Sequence, residues 1–278
     1  MITPKVNILI LNWNGKDILY DCINSIFNSE YKNYQVTIID NGSTDNSINK
    51  VKTDFEKLNF ILIKDNLGYS KGYNYAFNEL KKSIDDYYFL LNNDTMIKKN
   101  TISNLVNAIS IFGKNNIYGP KILNNSDESI WYGGGRISNI TKLASHIALN
   151  NKNIVTEMKS QKTDFVSGCA MLVPKKIIDT IGGFNELYNF YYEDVDLCLK
   201  AKNQGSLCFF VSDSIVIHKI SSSIGGRYSL SKLRHMIMST LKYLYSNYNI
   251  ISFFIYLIIN LLLLPFKIIF IFLRLAIK

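Results

Sequence analysis

Hydrophobic and polar positions in the first third of the chain switch repeatedly between two periods. Val6 to Leu11 is an apolar run of strand length, followed by an Asn14-Gly15 turn and by GKDILYDCINSIFNS, whose Ile18, Leu19, Cys22, Ile23, Ile26 and Phe27 recur at helical spacing. A second unit repeats the scheme with strand Val36 to Asp40, a polar Gly-Ser-Thr-Asp turn that offers N-caps, and a helix presenting Ile48, Val51, Phe55 and Leu58 on one face. A third strand at Phe60 to Ile63 leads through Asn66-Leu67-Gly68 to a helix carrying Ala76, Phe77 and Leu80. A fourth, Tyr87 to Leu91, ends in Asn92-Asn93-Asp94. Strands alternating with helices at this spacing predict a parallel α/β sheet. Ligands in such sheets sit beyond the carboxyl ends of the strands, where Asn12, Asp40, Asn66 and Asp94 all fall.

After about residue 115 the pattern loosens. Short β-like stretches surround Trp131 to Arg136, and a strand is expected at Phe165 to Val173. Pro174 stands where a short helix begins and Gly182-Gly183 where it ends, and Glu193 to Ala201 predicts a helix with acidic residues in its first turn. Strands near Leu207 to Val211 and Ile215 to His218 precede a basic, Tyr-rich helix from about Ser229 to Tyr245. There is no internal repeat and no long linker, so residues 1–248 read as one compact unit.

Residues 249–278 differ. Between Ile250 and Ile277 only Lys267 and Arg274 are charged. Ile250 to Phe266 is 17 residues, at the short end of the roughly 20 that span a hydrocarbon core, and Asn260 and Pro265 weaken a simple spanning helix. The segment is expected to associate with a membrane, as an in-plane or re-entrant anchor at least as readily as a spanning helix. The other reading, a buried core helix, needs surrounding protein that the chain hardly has left.

An apolar content of 47% suffices for a buried core. The formal charge of +9 is open to nucleic-acid binding, to attraction by anionic lipid or phosphorylated substrates, and to compositional drift. A nucleic-acid binder wants a basic stripe with interleaved aromatics, whereas these Lys and Arg are scattered. Cys22, Cys169, Cys198 and Cys208 form no CxxC pair and no short Cys/His spacing, which reads as reduced thiols in a cytosolic protein. The N-terminal apolar run resembles a first strand more than a secretory signal, so export is not expected. No GxxxxGK[ST], GxGxxG or GxSxG is present, against ATPase, dehydrogenase and α/β-hydrolase readings.

Several clusters carry chemistry as residue types. The Asp40-Asn41-Gly42-Ser43-Thr44-Asp45 turn can hydrogen-bond a nucleotide's base and ribose, or simply cap a helix. Asn92-Asn93-Asp94 offers hard oxygen ligands suited to Mg²⁺ or Mn²⁺ on a diphosphate, and would look similar as a plain turn. In Tyr191-Tyr192-Glu193-Asp194-Val195-Asp196 three carboxylates crowd beside aromatics at a helix start, more than compensation of the helix dipole requires. His218 ends an apolar strand, where a satisfied core histidine is the ordinary expectation. Arg227, Lys232 and Arg234 either neutralise phosphate or form a solvated face.

In order along the chain, ILNWNG (10–15), IIDNGSTDNS (38–47), NLGYSKGYNYA (66–76), FLLNNDT (89–95), FVSGCAMLVPKK (165–176), GGFNELYNFYYEDVDLCLKAKNQG (182–205) and IHKISSSIG (217–225) resemble the family 2 glycosyltransferases of the GT-A fold, in particular their bacterial rhamnosyltransferase-like branch. The resemblance runs from about Lys5 to Tyr245. It implies a Rossmann-like, mostly parallel sheet flanked by helices. It further implies transfer of a sugar, L-rhamnose from dTDP-rhamnose as first guess, from a nucleotide diphosphate to a lipid-linked or growing saccharide at the cytoplasmic face of a bacterial membrane.

By the same resemblance Asn12 and Asp40 contact base and ribose, with Asn66, Gly72 and Asn93 completing the nucleotide-sugar pocket. Asp94 and His218 hold Mn²⁺ or Mg²⁺, Asp194 is the general base, and Glu193 and Asp196 position it or the acceptor. Trp131 and Gly134, in the Gly133 to Gly135 loop, shape the sugar or acceptor site. Two departures stand out: Asn92 occupies the first acidic position of the D-x-D that many relatives carry, and Arg234 is followed by His235 where many have an Arg-Asn pair. A glycosidase would also need two carboxylates but no nucleotide pocket. A sugar nucleotidyltransferase of similar fold would carry a Gly-rich basic loop where Asn12-Trp13-Asn14-Gly15 stands. A catalytically inactive scaffold of an assembly complex would not need the full set of side chains.

Overall fold

The computed structural model describes residues 3–16, 18–188, 190–219 and 230–276, with backbone alone at 230–232 and 266–276. Three βα units and a fourth strand open the chain: β1 (Val6–Asn12), α1 (Ile18–Phe27), β2 (Tyr34–Asn41), α2 (Ser47–Asp54), β3 (Leu58–Ile63), α3 (Tyr69–Glu79) and β4 (Tyr87–Asn92), followed by β5 (Thr95–Ile97) and α4 (Thr101–Phe112). The next stretch is built of strands, β6 (Ile117–Asn124), β7 (Ile130–Tyr132), β8 (Gly135–Ile137), β9 (Ala144–His146), β10 (Gln161–Thr163) and β11 (Ala170–Pro174). It closes with α5 (Lys175–Ile181), α6 (Glu193–Asn203), β12 (Cys208–His218), α7 (Leu230–Asn247) and α8 (Ile250–Ala276).

The main sheet runs β10-β12-β6-β11-β4-β1-β2-β3, with β5 on β12 and β7 on β6, while β8 and β9 form a separate two-stranded ribbon. The half built from β3, β2, β1 and β4 is parallel, as the alternation predicts. Beyond it the sheet is mixed rather than mostly parallel: β11 runs antiparallel to both β4 and β6, and β5, β7 and β10 also pair antiparallel. Past β6 short strands follow one another without an intervening helix, and a chain that turns back directly can pair only antiparallel.

Strand order fixes where a ligand can enter. From β1 the chain winds outward through β2 to β3, then α3 carries it back to β4 on the other side of β1. Right-handed crossovers put α1 and α2 on one face and α3 on the other, opening a crevice between the carboxyl ends of β1 and β4. The strands below are buried on both faces: Val6, Ile8, Leu9 and Ile10 of β1 and Tyr88 to Leu91 of β4 are fully buried, the condition under which a strand reads as a continuous apolar run. On the α3 face, Tyr69, Tyr73, Phe77, Tyr88 and Phe184 pack ring on ring, each such pair adding about 0.5–1.5 kcal/mol beyond area burial.

Several element ends differ from the periodicity. The second helix stops at Asp54, because Leu58 already belongs to β3; Phe55 is extended and packs its ring on Tyr20 and Phe27. Only Ala170–Pro174 of the strand expected from Phe165 is β structure; residues 165–169 bend away from the sheet. The two strands expected near 207–211 and 215–218 are one strand, β12, with a bulge between Val211 and Ile215. Helix α4 and strand β6 were not predicted by the periodicity. Gly182 ends α5 in the left-handed conformation, as its position predicts. All four cysteines are buried free thiols.

Helix α8 lies along the domain. Asn260 Nδ2 donates to the Thr141 carbonyl at 3.0 Å, Lys142 sits over the Tyr256 ring, and Tyr248 meets Tyr256 edge-on. Its other side exposes Ile250, Ile251, Phe254, Ile255, Ile258 and Leu261. Among the described residues no helix is long and apolar enough to cross a membrane.

At the opposite end of the sheet from the crevice lies a buried polar network. Asp85 accepts from Asn7 Nδ2 at 3.1 Å and from Gln35 Nε2 at 3.0 Å, Lys5 pairs with it at 3.4 Å, and Thr37 donates to Asn7 at 2.9 Å. Replacing Asp85 by Ala strands the buried Asn7 amide, and is expected to lower unfolding stability by about 1–3 kcal/mol without changing turnover per folded molecule. Denaturant unfolding checks this; an unchanged midpoint would contradict it.

Candidate active site

The crevice between β1 and β4 is bridged by one side chain. Asn12, the last residue of β1, is completely buried. Its Oδ1 accepts from Asn93 Nδ2 at 2.9 Å, and its Nδ2 donates to Ser47 Oγ at 3.0 Å and Ser43 Oγ at 3.1 Å. Gly15 makes the bridge possible, since a Cβ there would lie 2.3 Å from Asn12 Oδ1 and 2.4 Å from Asn93 Nδ2. The loops after β1 and β2 are stitched together further by Asn14, Ser43, Thr44, Lys16 and Asp45.

Asp40 lies beside Asn12 in the parallel register, and its Oδ1 is buried without a hydrogen-bond partner among the described residues. Asn41 shapes the next turn: its Nδ2 donates to Asn66 Oδ1 at 3.0 Å and the Gly68 carbonyl at 3.1 Å, while its Oδ1 accepts from the Leu67 N–H at 2.9 Å. Gly72, in the first turn of α3, is packed against Leu11, which a Cβ would approach to 2.7 Å. Asn12, Asp40, Asn66, Gly72 and Asn93 therefore gather around the ends of β1 and β2, although the Asn12 amide is used internally.

Asp94 and His218 come from distant parts of the chain and meet. Strand β5 pairs with the end of β12, placing Thr95 opposite His218, and the Lys219 N–H donates to the Asp94 carbonyl at 2.8 Å. His218 Nε2 is then 3.3 Å from Asp94 Oδ2, both side chains about one-tenth exposed. His218 Nδ1 is buried with no hydrogen-bond partner among the described residues. Trp131 stands edge-on to His218 and to His146, 4.7 Å from each. Gly134 lies two residues beyond β7, where its carbonyl accepts from the Ile147 N–H and joins the ribbon to the sheet.

The acidic cluster is held under strain. Tyr191 and Tyr192 both adopt left-handed backbone, φ 68° and 70°, a conformation costing a non-glycine residue roughly 1–3 kcal/mol. The kink starts α6 at Glu193 and brings Asp194 against the loop before β11. There the Gly168 N–H donates to Asp194 Oδ2 at 2.9 Å, and next to it the Cys169 carbonyl accepts from the Asn92 N–H at 3.0 Å. The carboxylate of α6 and the turn carrying Asp94 thus flank the same short loop.

The three carboxylates have different surroundings. Asp196 points inward, accepting from Asn247 Nδ2 at 3.0 Å and Tyr188 at 3.3 Å and pairing with Lys200 at 3.1 Å; it fastens α6 to α7. Burial pushes Glu193 up to about 8, with the neighbouring Asp194 charge adding to the effect, and its Oε2 has no partner among the described residues. Burial also raises Asp194, opposed by the Gly168 N–H and by His146. An ordinary exposed aspartate is therefore the wrong picture of Asp194. Burial holds His146 below the usual imidazole value.

His146, Tyr69 and Gly168 are site residues that sequence reasoning did not single out. Tyr69 and Gly168 stand inside the matching stretches, whereas His146 lies where the pattern is least regular. Arg227 and the 220–225 part of the last matching stretch lie outside the described residues, as does the Lys232 side chain; Arg234 is exposed on α7.

Comparison with known proteins places this geometry. Residues 7–182 match the family described as Glycosyl transferase family 2. The chain is 25% identical over 209 residues to the N-acetylglucosaminyl-diphospho-decaprenol L-rhamnosyltransferase of Mycobacterium tuberculosis, covering 68% of each chain. It is 26% identical over 219 residues to an uncharacterized glycosyltransferase of Rickettsia felis, covering 77% of this chain and 34% of that one. Among solved structures, that of GalNAc-T7 with UDP, GalNAc and Mn2+ superposes with a TM-score of 0.66 at 15% identity, over 86% of this chain and 48% of the other. This chain spans about half of that neighbour's length, and the likeness concerns the fold.

A raised carboxyl has a consequence for stability. Glu193 holds its proton in the folded protein up to about pH 8 but releases it near its ordinary 4.5 when unfolded, so folding takes up a proton between those values. Its favourable contribution is complete below pH 4.5 and is lost as pH rises through 8. Glu193→Gln, which keeps the neutral shape, is expected to melt progressively higher than the parent between pH 5 and 8.5. A difference in melting temperature that does not vary with pH would show that Glu193 is ionised.

Proposed function

The chain belongs to the family 2 glycosyltransferases, and from that premise we propose that it is an inverting, divalent-metal-dependent enzyme moving a sugar from a nucleoside diphosphate to a hydroxyl of a lipid-linked saccharide. The observation that carries the reading is the meeting of Asp94 with His218 beside the β1/β4 crevice, with Asp194 held at the adjoining loop.

The residues present fit a metal. A carboxylate oxygen and an imidazole nitrogen stand together, mostly buried, at 3.3 Å, a separation longer than a tight charge-assisted hydrogen bond. This mixed donor pair suits Mn²⁺ better than Mg²⁺, which prefers oxygen throughout. Among the described residues no group of three or more such side chains gathers, so the remaining ligands would be diphosphate oxygens and water. When bound, such an ion neutralises the charge that collects on the departing diphosphate.

The chain's own residues supply the rest. Asp40 has an unsatisfied buried oxygen to offer to a base or ribose, and the Asn66 turn stands across from it. Asn12 acts indirectly, by fixing Asn93 and the serine-bearing loop. Ionised Asp194 takes the proton from the acceptor hydroxyl as that oxygen bonds to the anomeric carbon and the bond to the diphosphate breaks. One displacement inverts the configuration. Neutral Glu193 beside it adds no competing negative charge below about pH 8. Trp131, upright between two histidines, offers an apolar edge against which a sugar ring can rest.

The mycobacterial relative's name supports L-rhamnose as the transferred sugar and a polyprenyl-diphosphate-linked acceptor as first choices, with dTDP-rhamnose as the donor to test first. Residues 249–278 would keep the enzyme at the cytoplasmic face of a bacterial membrane, with the exposed apolar side of α8 against lipid. The full chain is expected to float with anionic vesicles; recovery in the lipid-free fraction at low salt would remove this part of the proposal.

Calorimetry with nucleoside diphosphates and nucleotide sugars, with and without Mn²⁺, tests the site. Asp94→Ala is expected to abolish metal-dependent binding, and Asp194→Asn to keep binding while turnover falls about 10²- to 10⁴-fold. Normal turnover in Asp194→Asn would refute its role, and failure of every nucleotide to bind folded protein would refute the donor site.

A further inference from the structure

Gly168 is gripped from two sides. Its N–H donates to Asp194 Oδ2 at 2.9 Å, and its carbonyl accepts from the Tyr69 hydroxyl at 2.8 Å. A Cβ on Gly168 would stand 2.7 Å from that hydroxyl and 3.4 Å from Asp194 Cβ, so the two side chains close on the glycine with no room for a larger residue. Tyr69 is itself fixed: it is the first residue of α3, directly after the turn that Asn41 and Asn66 hold, and its ring packs on Tyr73 at 4.9 Å and Phe184 at 5.5 Å. Burial keeps its hydroxyl protonated far above neutral pH, and therefore always a donor.

From this arrangement we propose that Tyr69 is a positioning residue, which holds Asp194 aimed and ionised through the Gly168 peptide and ties it to the Asn66 turn on the nucleotide side. The inference rests on the reading of Asp194 as the base.

Two peptide groups meet at Gly168, the one before it carrying the N–H and the one after it the carbonyl. Residues 165–169 are loop, and the Gly168 N–H is aimed by what holds the peptides on its two sides: the Ser167 carbonyl accepts from the Ala170 N–H at 3.2 Å, and the Gly168 carbonyl accepts from the Tyr69 hydroxyl. Of these holds, the Tyr69 hydroxyl is the one supplied by a side chain from the nucleotide side. An N–H aimed at a carboxylate favours its charged form. Without the hydroxyl the loop can turn, the N–H bond to Asp194 lengthens, and the buried carboxyl takes a proton at higher pH. The titratable groups facing Asp194 are Glu193 beside it, His146 on β9, Tyr132 on β7 and Tyr69 on α3. Tyr192 and the Cys169 and Cys198 thiols complete them. All three of these last are neutral at pH 7, and none changes in the variants below.

The connection has a functional corollary. The Asn66 turn leads directly into the helix that begins with Tyr69, so a nucleotide that settles on this turn also steadies the hydroxyl that steadies the base. Donor binding and base placement then share one rigid path from Asn41 through Gly68 and Tyr69 to Gly168.

The test titrates Asp194 directly in the full chain in detergent, with aspartate labelled at its side-chain carboxyl carbon and the Asp194 resonance identified by its loss in Asp194→Asn. Tyr69→Phe keeps the ring and removes the hydroxyl, and is expected to move the midpoint up by roughly half a unit to one unit. Turnover should fall at pH 6 more than at pH 8, with nucleotide affinity unchanged. Gly168→Ala is expected to destabilise the parent but to be tolerated on the Tyr69→Phe background, where the 2.7 Å clash is gone. An unmoved midpoint in folded Tyr69→Phe overturns the inference and leaves Asp194 as the base. Retained turnover in Asp194→Asn removes the reading and the inference together. A shifted midpoint with turnover lost in Asp194→Asn supports both.

Discussion

The site depends on one buried amide. Asn12 lies at the reversal of strand order, where β1 is flanked by β2 on one side and β4 on the other and where the crevice of a doubly wound sheet opens. Its oxygen holds Asn93 from β4, and its nitrogen holds Ser43 and Ser47 from the loop after β2. Three segments that would otherwise splay apart are fixed to one side chain with no exposure to water. An unmade bond there would cost about 1–3 kcal/mol, so the segments hold one another in register. Fixing Asn93 helps set the direction of the next residue, Asp94, together with the pairing of β5 and β12. Only because Gly15 lacks a Cβ can the loop after β1 pass over the bridge.

Beyond the crevice the mixed half of the sheet performs a different task from the parallel half. Parallel strands deliver side chains to the same edge in sequence order, as with Asn12, Asp40 and Asn92. His218 arrives by another route: β12 runs parallel to β6 and antiparallel to the short β5 that immediately follows Asp94. That antiparallel pairing places Thr95 opposite His218 and so puts the imidazole beside the carboxylate. Inserting β11 antiparallel beside β4 likewise sets Cys169 against Asn92 and its neighbour Gly168 against Asp194. The departures from a simple parallel sheet are the devices that assemble the second half of the site.

The same split decides what was legible in the sequence. The first four strands and the three helices between them were visible because β1 and β4 are buried on both faces and each helix has a buried side, so the period is written in the residues themselves. Asp40, Asn66 and Asp94 were legible as strand-end polar residues. The pairing of Asp94 with His218 was legible only through the family resemblance, since no local period reports which strand will lie beside β5. His146 escaped notice because the ribbon of β8 and β9 is too short to carry a pattern. Asp194 was legible by residue type but not by state: burial raises its proton affinity, and the Gly168 N–H, from a loop elsewhere in the sequence, opposes that. The bulge in β12 misled in the opposite sense, since its Ser212-Asp213-Ser214 reads as a turn between two strands, although Ser212 and Ser214 are buried and hydrogen-bonded inside one.

The strain at Tyr191 and Tyr192 is intelligible in these terms. A helix approached through ordinary backbone would carry its acidic first turn toward solvent, where carboxylates are best hydrated and the helix dipole best screened. Two consecutive left-handed residues turn the chain sharply enough to start α6 against the 165–169 loop instead. Part of the cost is met by the contacts the turn secures: Tyr192 stacks on Tyr243 at 4.6 Å, Asp196 accepts from Asn247, and α6 is thereby fastened to α7. The remainder is stored as two carboxyl groups in a place water reaches poorly. A base in such a place is less hydrated and more basic than an exposed aspartate, and a neutral acid beside it keeps the charge single. The kinked backbone thus decides where the carboxyls stand, and that placement raises their proton affinity.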